Sequence, residues 1–170
     1  YLYIEMPISQ DVEAKISSFS SNRPEVLFLC GSSGDGKSEI LTNCKKRYEA
    51  DVDFHLDATH SFSPKENAIQ TLDNLFNHFE ENNRPLVVGI NTGMLGNYAE
   101  EGSNELFRIS IKQFLDGSPV GNQIHFIDFE SYPKFSINKD VCTSEFVEKL
   151  LCRITSTENN PIRKAVSYTH

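Results

Sequence analysis

The chain has 170 residues, the size of a single domain and long enough to bury a proper core. Apolar residues make up 38% and charged residues 24%, with a formal net charge of −8. So acidic a balance argues against the chain coating a nucleic-acid backbone or an anionic membrane by itself, since both need a basic face, and leaves room for no more than a local basic patch. No apolar run approaches the ~20 residues that span a bilayer, and nothing at the start reads as a signal peptide.

In chain order, a first helix is expected over residues 9 to 19, with Ile8, Val12, Ile16 and Phe19 spaced for one face. Asn22-Arg23-Pro24 breaks it, and EVLFLC (25–30) follows, apolar at every position from Val26 to Cys30, the pattern of a strand buried on both faces. After a glycine-rich loop, Ile40, Leu41, Cys44 and Tyr48 mark a helix over 37–49. Residues 53–58, DFHLDA, alternate as a second strand. Ser63-Pro64-Lys65-Glu66 has the form of a capping box with proline in the first turn, and predicts the start of a helix carrying Ile69, Leu72, Phe76 and Phe79. Asn83-Arg84-Pro85 then leads into a third strand, LVVGIN, at 86–91.

The stretch TGMLGNYAEEGSN reads as a long loop, in which Asn97, Tyr98, Glu100 and Glu101 are candidates to meet a ligand or partner. A helix near 104–115, a strand at 123–130 and a last helix at 144–154 complete the pattern. Strands alternating with helices imply a mostly parallel sheet flanked by helices in three layers. The organisation expected is a nucleotide-binding domain over 1–143, with 144–170 as a helical extension, the start of a following lid region, or part of the same domain. A chain that opens at Tyr1 and stops at VSYTH reads as a portion of a longer protein. The four cysteines are scattered without a CxxC pair, which suits reduced thiols and a cytoplasmic setting.

Gly31-Ser32-Ser33-Gly34-Asp35-Gly36-Lys37-Ser38 fits GxxxxGK[ST] at every fixed position. Such a loop turns backbone N–H groups toward phosphate oxygens, and glycine permits both the close approach and the positive backbone angles. The helix that follows points its first N–H groups at the same anion. Residues Gly31 through Glu39 are therefore the candidate nucleotide-binding stretch, with Lys37 for the β and γ phosphates and Ser38 for Mg²⁺. The fold class this implies is a P-loop NTPase, AAA/ASCE-like.

Hydrolysis also needs an acidic residue at a strand tip and a group that orients water. No apolar run ends in Asp-Glu. Asp57 follows the second strand, with Ala58 where a catalytic glutamate would stand; Asn91 ends the third; Asp128 and Glu130 end the fourth, on one side if alternation continues. In the common ATPase order, Asp57 is the metal-side acid and Asn91 the phosphate sensor, making Lys37, Asp57 and Asn91 the catalytic candidates and Ser38 with Asp57 the metal pair. A loop carboxylate at Asp57 and a plain turn former at Asn91 are the alternatives. Arg153 and Arg163 are candidate fingers for a neighbouring copy, which leaves self-association open, and solvated surface residues are the equal alternative. His55, Asp57 and His60 lack metal-ligand spacing.

FLCGSSGDGKSEIL, FHLDATHSFSP, LVVGINTGMLGNYAEEGS and FIDFESYPKF together resemble the DptF family, ATPase-like subunits of bacterial DNA phosphorothioation-dependent restriction systems. The resemblance covers roughly residues 1 to 154. It implies ATP and Mg²⁺ as cofactors, companion restriction subunits as partners, and DNA reached through the complex. It also implies that nucleotide drives or gates the assembly. A scaffold that binds ATP without turning it over, and a small-molecule kinase sharing the phosphate loop, are the competing functions.

Overall fold

The computed structural model describes residues 3–19, 23–58, 67–138, 141–156 and 160. The chain divides into two compact units, Asp11–Ser131 on the one hand and Tyr1–Gln10 with Tyr132–His170 on the other.

The first unit is organised by one strand. Val26 to Cys30 is apolar at every position, so neither face can be left in water, and β1 (Val26–Gly31) is buried along its whole length. It pairs in parallel with β3 (Leu86–Asn91) on one side and β4 (Ile124–Asp128) on the other. β2 (Asp53–His55) adds to β3, giving a four-stranded parallel sheet in the order β2-β3-β1-β4. Alternation then assigns the layers. Val26, Phe28 and Cys30 of β1 join a core with α3 (Ala68–Asn82), α4 (Thr92–Glu101) and α5 (Glu105–Leu115). Leu27 and Leu29 are equally buried but point to the opposite face, where α2 (Lys37–Tyr48) lies. α1 spans Pro7–Ser17, and its part within this unit, residues 11–17, is tied to α2 by an ion pair from Glu13 to Arg47 at 2.7 Å.

An aromatic stack fills the first face. Phe76 and Phe107 lie parallel with centroids 3.9 Å apart, and Phe28 meets each edge-on, at 5.8 and 6.3 Å. On the second face Gly89 of β3 is required by close approach: a Cβ there would stand 2.5 Å from Leu41 Cδ1 and 2.7 Å from the Leu56 carbonyl oxygen.

Three expectations are corrected. TGMLGNYAEE is not a loop but helix α4, capped by Asn91, whose Oδ1 accepts from the Met94 N–H at 2.6 Å. Leu95, Tyr98 and Ala99 form its buried stripe, outweighing the helix-weakening Gly93 and Gly96. Tyr98 is therefore core rather than ligand-facing. Its hydroxyl donates to Asp73 (2.6 Å), and burial together with that carboxylate pushes its phenol well above the ordinary range. α3 starts at Ala68, with Asn67 and Gln70 forming a reciprocal capping box; the Ser63 box lies outside the described residues. Finally, the fourth strand stops at Asp128 and turns into a 3₁₀ segment, Phe129–Ser131, so alternation does not carry on to Glu130.

In the second unit, β5 (Ser136–Asn138) and β6 (Val141–Thr143) form an antiparallel hairpin that residue patterning did not anticipate. α6 (Glu145–Thr155) follows, with Ser144 as its N-cap. Among the described residues no helix is long and apolar enough to cross a membrane.

The base of β1 is set by Glu25, whose carboxylate holds Lys15 at 2.6 Å and His125 at 2.7 Å. Burial pushes its pKa up, but Lys15 and then His125 more than offset this, leaving it below the ordinary value of 4.5. Glu25 thus contributes stability that is present above 4.5 and lost as pH falls through the lowered folded value. Glu25→Gln is expected to be less stable than the wild type at neutral pH, with the gap closing on acidification; denaturant melts across a pH series check this. Gly89→Ala is expected to lose about 1–3 kcal/mol through overpacking. Gly96→Ala, in a helix interior with open space around it, should gain about 0.5–1 kcal/mol.

Candidate functional site

The loop after β1 lies where the chain reverses direction across the sheet. From β1 the chain crosses toward the β2 edge through α2, whereas from β3 it crosses the other way, over β1, to β4. Open parallel sheets bind ligands at the carboxyl ends of their strands at such a switch point. The sequence supplies a loop suited to that place. Gly34 and Gly36 both hold left-handed backbone angles, with φ of 83° and 97°, and nothing lies within 4 Å of a Cβ built at either. Gly36 is the N-cap of α2 and makes no side-chain cap bond, leaving the first-turn N–H groups to meet an anion.

Lys37, the first residue of α2, folds back across the loop and donates to the carbonyls of Gly31 (3.0 Å) and Ser32 (2.6 Å). Asp35 comes to 4.0 Å from the same ammonium. Ser32, Ser33, Ser38 and Glu39 are exposed. Glu39 Oε1 accepts from Asn43 along the helix, directed away from the cradle. Candidate residues Gly31 to Ser38 are thus gathered in one loop at the tip of the central strand, with Gly31 buried and the Asp35 and Lys37 side chains partly covered.

The neighbouring strands bring two more candidates to that tip. Gly31 is in register with Asn91 of β3, and Cys30 with Asp128 of β4. Asn91 spends its side-chain oxygen on capping α4, which fixes the amide and leaves its NH₂ group as the part able to serve a ligand or water. Asp128 Oδ1 accepts from the Glu130 N–H at 2.9 Å, an Asx turn that ends the strand. Glu130 itself is exposed. Asp57 lies one strand further out, beyond β2 and exposed, while Ala58 next to it is buried and donates its N–H to the Gly89 carbonyl. The position beside Asp57 is therefore packed backbone with a methyl group and supplies no carboxylate. Buried His55 has its pKa lowered by burial, with Asp57 opposing, so its ring is neutral at physiological pH.

Phe129 is the site residue that residue patterning passed over. It is buried, and its Cβ would be 2.8 Å from a Cβ at Gly31; the Lys37 ammonium sits 5.8 Å from its ring centre. It walls the loop on the β4 side and explains why β1 must end in glycine. A single apolar residue between Asp128 and Glu130 gives no sequence signal that could mark such a role. Cys30, just before the loop, is no nucleophile: burial and then Asp128 raise its thiol pKa far above the ordinary value, against a smaller opposing effect of Lys37.

Among the described residues no group of three His, Cys, Asp or Glu side chains is placed to hold a metal ion. Mg²⁺ held by a hydroxyl, phosphate oxygens and water does not require one. A cleft of about 450 Å³ lies at the opposite end of the sheet, where Arg84 is already committed to Asp53 (3.2 Å) and to the carbonyls of Glu49 and Ala50. Comparison with known proteins returns no match: no family model, no curated protein and no solved structure is significantly similar to the chain.

The cap role of Asn91 is separable from its donor role. Asn91→Ala is expected to cost about 1 kcal/mol in denaturant melts through loss of the α4 cap, whereas Asn91→Asp keeps an accepting oxygen and should stay near wild-type stability.

Proposed function

We propose that this chain is a P-loop nucleoside-triphosphate-binding domain of the AAA/ASCE-like kind, taking ATP with Mg²⁺ in the loop Gly31–Ser38. The observation that carries this reading is the position of the loop. GSSGDGKS leaves the C-terminal tip of the central parallel strand and runs into a helix whose cap is a left-handed glycine. Three sources of attraction for phosphate converge there: backbone N–H groups, the helix N-terminus and the Lys37 ammonium. The Ser38 hydroxyl stands in the first turn of α2, where it would ligate Mg²⁺. That ion would neutralise charge on the phosphates.

The strand order supports a division of labour for hydrolysis. β3, with Asn91 at its tip, stands between β1 and β2, and Asp57 follows β2 two residues past its end. Asn91 would offer its NH₂ group to a terminal phosphate or to the attacking water, and Asp57 would hold Mg²⁺ through water. By the resemblance to the DptF family, the wider role is that of an ATP-binding subunit in a bacterial DNA phosphorothioation-dependent restriction complex. Nucleotide would drive or gate that complex, and DNA would be met by companion subunits rather than by this acidic domain. The second reading, a scaffold that binds ATP without turnover, is favoured by one observation: buried Ala58 stands where a catalytic carboxylate is wanted.

Titration with ATP and a steady-state phosphate-release assay test these readings together. Lys37→Ala is expected to weaken ATP binding by at least about tenfold, through loss of a charge-assisted contact. If the chain is an ATPase, Asn91→Asp loses turnover while retaining wild-type stability. Binding that survives with no turnover, even with partner subunits and DNA present, selects the scaffold. No binding of ATP or any other nucleoside triphosphate overturns the proposal.

A further inference from the structure

Asp35 is the only acidic side chain within Gly31–Ser38, and it lies in the part of the loop where a polyanion would be held. Its position follows from its neighbours. Gly34 and Gly36 on either side both take left-handed angles, so the chain reverses on each side of Asp35 and throws its side chain back over the start of the loop. There Asp35 Oδ2 stands 2.5 Å from where a Cβ of Gly31 would be, in the space that the missing side chain leaves. The same carboxylate is 4.0 Å from the Lys37 ammonium, and the two side chains are only 16% and 12% exposed. Lys37 completes its shell with the carbonyls of Gly31 and Ser32. The cation suited to a phosphate thus already faces one carboxylate and two carbonyl oxygens, all from its own loop.

We propose that Asp35 is an internal counter-ion that occludes Lys37 and sets the affinity and Mg²⁺ dependence of the phosphate site. The inference rests on the nucleotide-binding reading above and specifies how that site is regulated. A phosphate group that reaches Lys37 displaces the Asp35 carboxylate and then lies beside it, and two like charges at such short range repel strongly where water is partly excluded. Mg²⁺ lowers the charge of the incoming triphosphate, so the metal-bound form suffers less from Asp35 than free ATP does. The loop is thereby tuned to take the Mg²⁺-bound polyphosphate and to hold free polyphosphate weakly. Without the carboxylate, Lys37 would be available to any phosphate.

Asp35→Asn keeps the shape of the side chain and removes its charge; Asp35→Ala removes both. The full chain is titrated with ATP, once with Mg²⁺ and once in EDTA, with circular dichroism confirming that each variant is folded. Both variants are expected to bind ATP at least about tenfold more tightly than the wild type at low salt, with the larger gain in EDTA and a smaller one at high salt. Folded variants that bind as the wild type does, or more weakly, overturn the counter-ion role. Equal gains with and without Mg²⁺ overturn the metal dependence. If neither wild type nor variants bind ATP or inorganic pyrophosphate, the nucleotide reading itself fails, a result distinct from unchanged affinity.

Discussion

Burial of β1 on both faces is the constraint from which the remaining architecture follows. A strand with no polar position cannot be an edge, so it must find a backbone partner on each side and a helical layer above and below. Phe28 and Leu29, adjacent in sequence, enter two different layers for this reason alone. The central place of β1 also fixes where the chain must leave the sheet. It leaves through a stretch that begins with Gly31, pressed beneath Phe129, and regains regular structure only at Lys37. A loop held at the middle of a parallel sheet, between connections that cross it in opposite directions, is flanked by the tips of both neighbours.

Those tips determine what the loop can do. Asn91 is at once the last residue of β3 and the cap of α4, and this double duty orients its amide relative to the loop. Asp128 is turned inward on its own backbone by the Asx turn, which makes it a builder of the 3₁₀ segment more than an open carboxylate. Asp57, two residues past the end of β2, is separated from β1 by the whole of β3. Charge is arranged within the loop as well, with Asp35 and Lys37 facing each other across Gly31.

How much of this was legible follows from the range of each signal. β1 and β3 were readable almost to the residue because a run of apolar side chains is a local property and its punctuation, Asn-Arg-Pro on one side and glycine or asparagine on the other, is equally local. α4 was hidden because Gly93 and Gly96 give a strong local indication of a loop, whereas Leu95, Tyr98 and Ala99 become a helical stripe only once α3 and α5 provide a core to bury them in. Tyr98 shows the same effect at one residue. In isolation it is a polar-tipped aromatic in a glycine-rich stretch, and in the fold it is a fully buried ring tied to Asp73, twenty-five positions earlier. The hairpin β5–β6 escaped notice because three-residue strands carry too little periodicity to register.

The sequence by itself determined the alternation of strands and helices, the parallel sheet, and the residues of the glycine-rich loop. Each depends on side chains close together along the chain. Only the tertiary structure decided which strand tips stand beside that loop, that Phe129 rather than Glu130 forms its wall, that Ala58 is sealed against β3, and that Asp35 lies over Gly31 facing Lys37. These are juxtapositions created by strand order and by the left-handed glycines of the loop, and backbone direction at a glycine is too permissive for residue types alone to specify.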